Sequence, residues 1–203
     1  MGASETDREK HVEIEFLYLD LDVCTRCRGT DSNLETALRI VQEVLQASRT
    51  DVSTRKVLVD SEETARKLKF LSSPTIRING RDIALMFRET PCDSCAEACA
   101  CDGGVDCRVW VYEGKEYTEA PVPLIVSALL SEICDSQSAD RPASVRPFEL
   151  SENLKHFFEA KAAKKAGKSC CADEEKTSCC EPSEKSSCCD SGEQGTAATC
   201  GYR

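Results

Sequence analysis

Cysteine is the residue type with the most chemistry to offer in this chain, since 15 of its 203 residues are cysteines. A thiol acts as a redox group or nucleophile, and a thiolate binds soft metal ions. Most of these cysteines fall into three groups: one Cys-x-x-Cys pair, a dense segment in the middle of the chain, and a tail of adjacent pairs. The odd count and the adjacent pairs, which close a ring too tight for an unstrained disulfide, favour reduced thiols over a disulfide framework.

The first group is the pair Cys24 and Cys27, which directly follows a predicted strand. The same sulfur separation suits a disulfide and a bis-thiolate, so the pair indicates either redox work or two-coordinate binding of a soft metal. The alternative is that both are buried thiols acting as small hydrophobic side chains.

The second group lies in segment 91–107, PCDSCAEACACDGGVDC. Its cysteines are close enough in sequence for four sulfurs to surround one ion, and their spacing does not match that of ferredoxins. An all-sulfur site favours zinc, copper(I), mercury(II) or arsenic(III) over harder ions. The alternative is a zinc or disulfide staple that only orders a long loop. The candidate ligands are Cys92, Cys95, Cys99, Cys101 and Cys107.

The third group belongs to a nine-residue unit that occurs three times, at 169–177, 178–186 and 187–195. No Leu, Ile, Val, Phe, Trp or Met follows Gly167, so we expect residues 169–203 to be disordered. Vicinal thiols in a mobile acidic segment would wrap a thiophilic cation, each pair adding avidity. The alternative is a low-complexity tail with incidental cysteines. The candidate ligands are Cys170, Cys171, Cys179, Cys180, Cys188 and Cys189.

Hydrophobic periodicity predicts alternating strands and helices around the first two groups. The predicted elements are strands at 12–19, 55–60 and 75–78, a hairpin of 108–112 with 115–118, and helices at 32–47, from 61 and from 123. Gly29, together with a capping box formed by Ser32 and Glu35, predicts that the first helix begins after Cys27.

This order of elements, β-α-β-α-β-β-α, resembles that of the thioredoxin-like superfamily over residues 12–136. The resemblance is carried by Cys24-x-x-Cys27 after the first strand and by Ser73-Pro74-Thr75-Ile76, which looks like a cis-proline segment facing the cysteine loop. A narrower resemblance is to an uncharacterised prokaryotic thioredoxin-like domain family with a Cys-x-Arg-Cys motif. It rests on CTRCRGT at 24–30 and SSPTIRING at 72–80.

The superfamily resemblance implies a thiol-disulfide oxidoreductase as one candidate function, with Cys24 attacking, Cys27 resolving and Pro74 shaping the substrate groove. Two departures are expected to weaken the activation of Cys24. Thioredoxins have an aromatic residue before the first cysteine, where this chain has Val23. The predicted late helix start also moves the positive end of the helix dipole away from Cys24. The carboxylates of Asp20 and Asp22 would also raise a nearby thiol pKa.

We expect a mixed α/β fold with five segments in the chain. The C-terminal helix carries an apolar stripe of Leu150, Leu154, Phe157 and Phe158, which we expect to dock on its own domain or, alternatively, to bind a partner. The predicted segments are a disordered N-terminus (1–10), a thioredoxin-like domain (11–136) with a cysteine-rich insertion (88–107), a linker (137–147), an amphipathic helix (148–168) and the disordered tail (169–203).

The formal charge of -10 argues against nucleic acid or an anionic membrane as a partner, because both need a basic surface. No apolar run approaches the roughly 18 residues of a spanning helix. The first ten residues are polar, unlike a secretory signal. We therefore expect a cytoplasmic protein.

These observations favour thiol-based binding and transfer of a soft metal or metalloid ion, in resistance or detoxification, with a protein donor or acceptor of the ion. In its Cys-Cys usage the tail resembles arsenic-handling proteins, among them an arsenic metallochaperone with a thioredoxin-like fold. The alternatives are the oxidoreductase, a metal-linked enzyme acting on bound arsenic or mercury, and a zinc-stapled interaction module. The sequence does not identify an acid-base group for such an enzyme, although Asp20 and Asp22 lie near the motif.

Overall fold

In a computed structural model of the chain, the structure describes residues 10–84, 86–101, 104–134 and 148–166. Residues 1–161 form one compact unit and residues 162–203 a second, of which only 162–166 are described. The predicted disordered N-terminus, the linker and the vicinal cysteine pairs of the tail lie outside the described residues, apart from the border residue Lys10.

A four-stranded mixed sheet forms the centre of the first unit, in the order β2-β1-β3-β4. Its strands are β1 (Lys10–Tyr18), β2 (Thr50–Leu58), β3 (Thr75–Ile78) and β4 (Arg81–Asp82). β1 pairs in parallel with β2 and antiparallel with β3, and β3 pairs antiparallel with β4. The dipeptide Asn79-Gly80, a typical turn sequence, joins β3 to β4, with φ angles of 50° and 76° that this short turn requires.

Five helices and two small two-stranded sheets complete the described part of the chain. The helices are α1 (Thr25–Ala47), α2 (Glu62–Lys67), α3 (Asp93–Cys99), α4 (Val122–Cys134) and α5 (Glu152–Ala166). The antiparallel strand pairs are β5 (Glu89–Pro91) with β6 (Asp106–Arg108), which flank α3, and β7 (Trp110–Tyr112) with β8 (Lys115–Tyr117), which form a hairpin. The mixed α/β class is therefore as predicted, and the predicted terminal hairpin is present as β7–β8.

The first helix begins at Thr25, so the prediction that it begins after Cys27 was wrong. Cys24 is the N-cap, and its sulfur accepts a hydrogen bond from the backbone N–H of Cys27 at 3.4 Å. The apparent capping box lies inside the helix, where the Glu35 carboxylate binds Lys56 of β2 at 2.9 Å. The glutamate of the Ser-x-x-Glu pattern therefore forms a surface ion pair instead of a capping box, and the Cys24 sulfur caps the helix.

Gly29 lies inside α1, where an added Cβ would meet the carboxylate of Glu119. That carboxylate lies at the end of a flexible side chain that can move aside. In a helix interior, alanine is more favourable than glycine by about 1 kcal/mol. We expect Gly29→Ala to raise the free energy of unfolding by about 0.5–1 kcal/mol in urea denaturation. Gly114→Ala is the control: at φ 75° in the β7–β8 turn it should destabilise the fold. A destabilised Gly29→Ala protein would contradict this account of α1.

The buried side chains form two clusters, one on each side of β1. Val12, Ile14 and Phe16 join residues of α1, β3 and α4, whereas Leu17 and Leu19 join the cysteines and α5. This is the alternation that the sequence predicts for the first strand. The two clusters place the cysteines on one side of the sheet, within an apolar core.

Helix α5 contributes the apolar cover of the cysteine cluster. Its stripe residues are buried in that cluster, and Phe157 is fully inaccessible. The expected docking of this stripe on its own domain is confirmed. The stripe consists of Leu150, Leu154, Phe157 and Phe158.

Candidate metal centre

Two distant parts of the chain bring four cysteines together. Cys24 is at the start of α1, while Cys92 caps α3, Cys95 lies within α3 and Cys107 lies in β6. The four sulfur atoms all lie within 4.8 Å of one another. All four residues are buried, with at most 4% of their surface exposed. We call this group the thiol quartet.

The spacing of the quartet fits one tetrahedrally coordinated ion. A zinc–sulfur bond of about 2.3 Å places the sulfurs of a tetrahedral site about 3.8 Å apart. The sulfurs of Cys95 and Cys107 are 3.2 Å apart, and the upper limit within the quartet is 4.8 Å. Small side-chain adjustments would therefore bring the four sulfurs to ligand distance, and the quartet could hold a soft metal ion.

Hydrogen bonds between the thiols shift their pKa values in opposite directions. The pKa of Cys24 is held far below its ordinary value, mainly by a hydrogen bond from Cys107, with smaller contributions from the other thiols and against the effect of burial. The Cys107 contact also lowers the pKa of Cys92 to about 7. The pKa of Cys107 itself is raised, chiefly by its hydrogen bond to Cys24. Binding of a cation would displace the protons of these thiols.

A family model described as Domain of unknown function (DUF2703) matches residues 12–129. The chain belongs to this family. The DUF2703 match contains the whole quartet and ends within α4, so α5 and the tail lie outside it. No curated protein and no solved structure matches the chain. Within the described residues of this DUF2703 protein, no helix has the length and apolar character needed to cross a bilayer.

The Cys-x-x-Cys pair of the DUF2703 domain is divided between two environments. Cys24 belongs to the quartet, whereas the sulfur of Cys27 lies 3.3 Å from the hydroxyl oxygen of Ser73. The pKa of Cys27 is raised, first by its hydrogen bond to Cys24 and then by burial. Cys27 is thus a fifth thiol beside the quartet, and two-coordinate binding by the pair stays a prediction.

The Ser73-Pro74 peptide bond is cis, in agreement with the prediction for this segment. The Ser73 hydroxyl oxygen also accepts the N–H of Leu19 at 3.1 Å, and the Ser73 carbonyl accepts the N–H of Arg108 at 2.7 Å. Pro74 itself is buried. Ser73 was expected only as part of the cis-proline segment, and its contact with Cys27 emerges from the structure.

The remaining cysteines of the insertion do not join the quartet. Cys99 and Cys101 are joined to each other in a disulfide in this structure, so their ligand role stays a prediction for the reduced protein. Cys134, at the end of α4, is free and exposed. The six vicinal cysteines of the tail are outside the described residues, so their proposed ligand role stays a prediction.

Cys24 of the DUF2703 domain is better activated than the sequence suggested. The helix begins immediately after it, so the positive end of the α1 dipole faces its sulfur. The Asp20 carboxylate is committed elsewhere: it accepts the N–H groups of Asp22 and Val23 at 2.8 and 2.9 Å and lies 3.6 Å from Lys161. The expectation that these acidic residues leave Cys24 with a raised pKa was therefore wrong.

Proposed function

We propose that this protein binds a soft metal ion through the thiolates of the quartet. The supporting observation is that four buried sulfurs from separate elements converge within 4.8 Å of one another. Thiols can be buried as small hydrophobic groups, but four in mutual contact form the donor set of a thiolate metal site. Binding would exchange the thiol protons for the cation.

The donor number favours a tetrahedral divalent ion such as zinc for the quartet. Tetrahedral four-sulfur sites are typical of zinc, and a closed, buried site is typical of ions held for structure or storage. Copper(I), mercury(II) and arsenite are also thiophilic, and the vicinal cysteine pairs of the tail offer them sites with fewer ligands. The quartet and the tail would then differ in both affinity and ion preference.

We further propose that the tail collects thiophilic ions and passes them to the folded domain or to a protein partner in the cytoplasm. The support is the threefold repeat of vicinal cysteines and its resemblance to arsenic-handling proteins. Resistance to a toxic metal or metalloid is the role that this arrangement suits best, because avidity grows with each added pair.

A thioredoxin-like ancestry for the fold is part of the same proposal. The sheet order β2-β1-β3-β4, the parallel β1–β2 pair and the cis proline before β3 support it. The Cys-x-x-Cys motif at the start of α1 is a further point of likeness. The cysteine-rich insertion between β4 and β7 would be the addition that converts one thiol of that motif into a metal ligand.

Native mass spectrometry under anaerobic conditions tests the division of labour between domain and tail. We expect the reduced full-length protein to bind several equivalents of thiophilic ion. The full-length variant with its six vicinal cysteines replaced by serine should keep one, because the quartet is untouched. A control variant, Cys134→Ser, should match the parent, since this exposed thiol is outside both sites. Equal stoichiometry with and without the tail thiols would contradict the collecting role.

Thiol-disulfide exchange is a second candidate, favoured by the position of Cys24 at the N-terminus of α1. Cys24 would attack a substrate disulfide, forming a mixed disulfide, and Cys27 would resolve it as the second substrate thiol leaves. A metal bound to Cys24 would block this reaction. Replacement of Cys27 separates the two candidates, because Cys27 is needed for exchange and is not a member of the quartet.

A further inference from the structure

Arg26 links the two parts of the chain that form the quartet. It lies in the first turn of α1, between Cys24 and Cys27, and its side chain reaches the insertion. One terminal nitrogen of its guanidinium, Nη1, donates to the hydroxyl and carbonyl oxygens of Thr90 at 3.0 and 3.3 Å and to the carbonyl of Cys107 at 3.4 Å. The other, Nη2, donates to the carbonyl of Pro91 at 2.5 Å.

These acceptors lie on the backbone that carries the quartet. Thr90 and Cys107 are directly opposite each other in the β5–β6 ladder, so Nη1 spans both strands at the rung of Cys107. Pro91 immediately precedes Cys92, and its carbonyl belongs to the peptide unit that leads into that ligand. A single side chain two residues from Cys24 therefore holds the backbone of two other quartet members.

The charge of Arg26 suits a loaded centre. Four thiolates around a divalent ion carry a net charge of minus two, and burying uncompensated charge is costly. A guanidinium keeps its proton in proteins and offers a rigid fork of donors, whereas the lysine ammonium is a compact point charge on a flexible stem. Lysine at this position would keep the charge but could not span the same set of carbonyls.

We propose that Arg26 is a positioning residue of the metal centre. It fastens α1 to the β5–β6 strand pair so that Cys24 meets the three thiols of the insertion, and it offsets the negative charge of the loaded site. This role rests on the proposed metal binding. It gives a function to the arginine of the motif Cys-Thr-Arg-Cys, which the spacing of the two cysteines alone does not predict.

Cobalt(II) titration of the reduced full-length protein tests this role, because the cobalt spectrum reports the number and geometry of thiolate ligands. We expect Arg26→Lys to weaken cobalt and zinc binding about 10–100-fold, the range found when outer partners of metal ligands are removed. Its cobalt spectrum should show a distorted site. Arg28→Lys is the matched control in the same helical turn. The Arg28 side chain is exposed and donates a 3.5 Å hydrogen bond to the Asp22 carbonyl, away from the insertion, so metal binding should be unchanged.

A milder variant covers the case in which Arg26→Lys fails to fold. Thr90→Val removes only the hydroxyl acceptor of Arg26, and a few-fold loss of affinity with an unchanged circular dichroism spectrum is expected. If the parent binds cobalt through four thiolates and both variants bind it equally well, the role of Arg26 is overturned while metal binding stands. If the parent shows no four-thiolate spectrum, both proposals fall. Loss of apo-protein stability with metal affinity unchanged would also overturn the positioning role.

Discussion

Cys107→Ser is expected to abolish the four-thiolate cobalt(II) spectrum and to weaken zinc binding by about 100-fold or more. Structural zinc sites contribute roughly 10–16 kcal/mol in all, so the loss of one thiolate among four costs about 3 kcal/mol. Cys107 is suited to this test because it is fully buried, contacts Cys95 at 3.2 Å and shifts the pKa of Cys24 and Cys92. Competition with a chromophoric chelator measures the change in affinity.

Two further cysteine variants are the controls for this experiment. Cys134→Ser removes an exposed thiol and should bind zinc as the parent does. Cys27→Ser removes the thiol beside the quartet, so zinc binding should persist while any reduction of a model disulfide is lost. Undiminished zinc affinity in Cys107→Ser would rule out the quartet as the binding site. Exchange activity that survives in Cys27→Ser would remove the oxidoreductase candidate.

Phe157→Ala should lower the free energy of unfolding by about 3–5 kcal/mol, the usual cost of truncating a fully buried phenylalanine. Its ring is inaccessible to solvent, packs edge-to-face against Phe158 at 5.5 Å and belongs to the cluster that contains the quartet. Because folded domains are stable by only about 5–15 kcal/mol in total, the loss should be plain in urea denaturation. Loss of the Phe157 ring should also let water reach the thiols and speed the release of bound metal to a chelator.

The matched control for this substitution is Ile40→Ala, on the solvent side of α1. Ile40 is 58% exposed, so its truncation should change stability by no more than about 0.5 kcal/mol and leave metal release unaltered. Similar losses in the two variants would contradict the burial of α5 against the cysteine cluster.

Several elements were predictable because their signals are local. Strands β1 and β3 show alternating hydrophobic residues directly in the sequence. The Asn79-Gly80 turn needs two residues that tolerate positive φ, which these residue types do. Ser61 caps α2 through its hydroxyl, as is usual for serine at a helix start. The thiol content likewise indicated soft-metal or redox chemistry before any fold was considered. In each case the residues that carry the signal are neighbours in sequence.

Other elements escaped because a contact elsewhere sets them. β2 begins at Thr50, earlier than its hydrophobic core indicates, because backbone pairing with β1 extends an exposed edge strand whose side chains need no alternation. The start of α1 was misplaced because a sulfur caps it, and cysteine is not among the residues that usually mark a helix start.

The quartet shows the same division at the level of chemistry. Residue types and spacing are enough to establish that the chain carries many soft ligands, that two of its thiol groups lie within a mixed α/β domain and that a third repeats in the tail. They cannot establish which thiols meet. Cys24 joins Cys92, Cys95 and Cys107, which lie far from it in sequence, because the packing of the β5–β6 strand pair against α1 closes a long loop that no local pattern encodes.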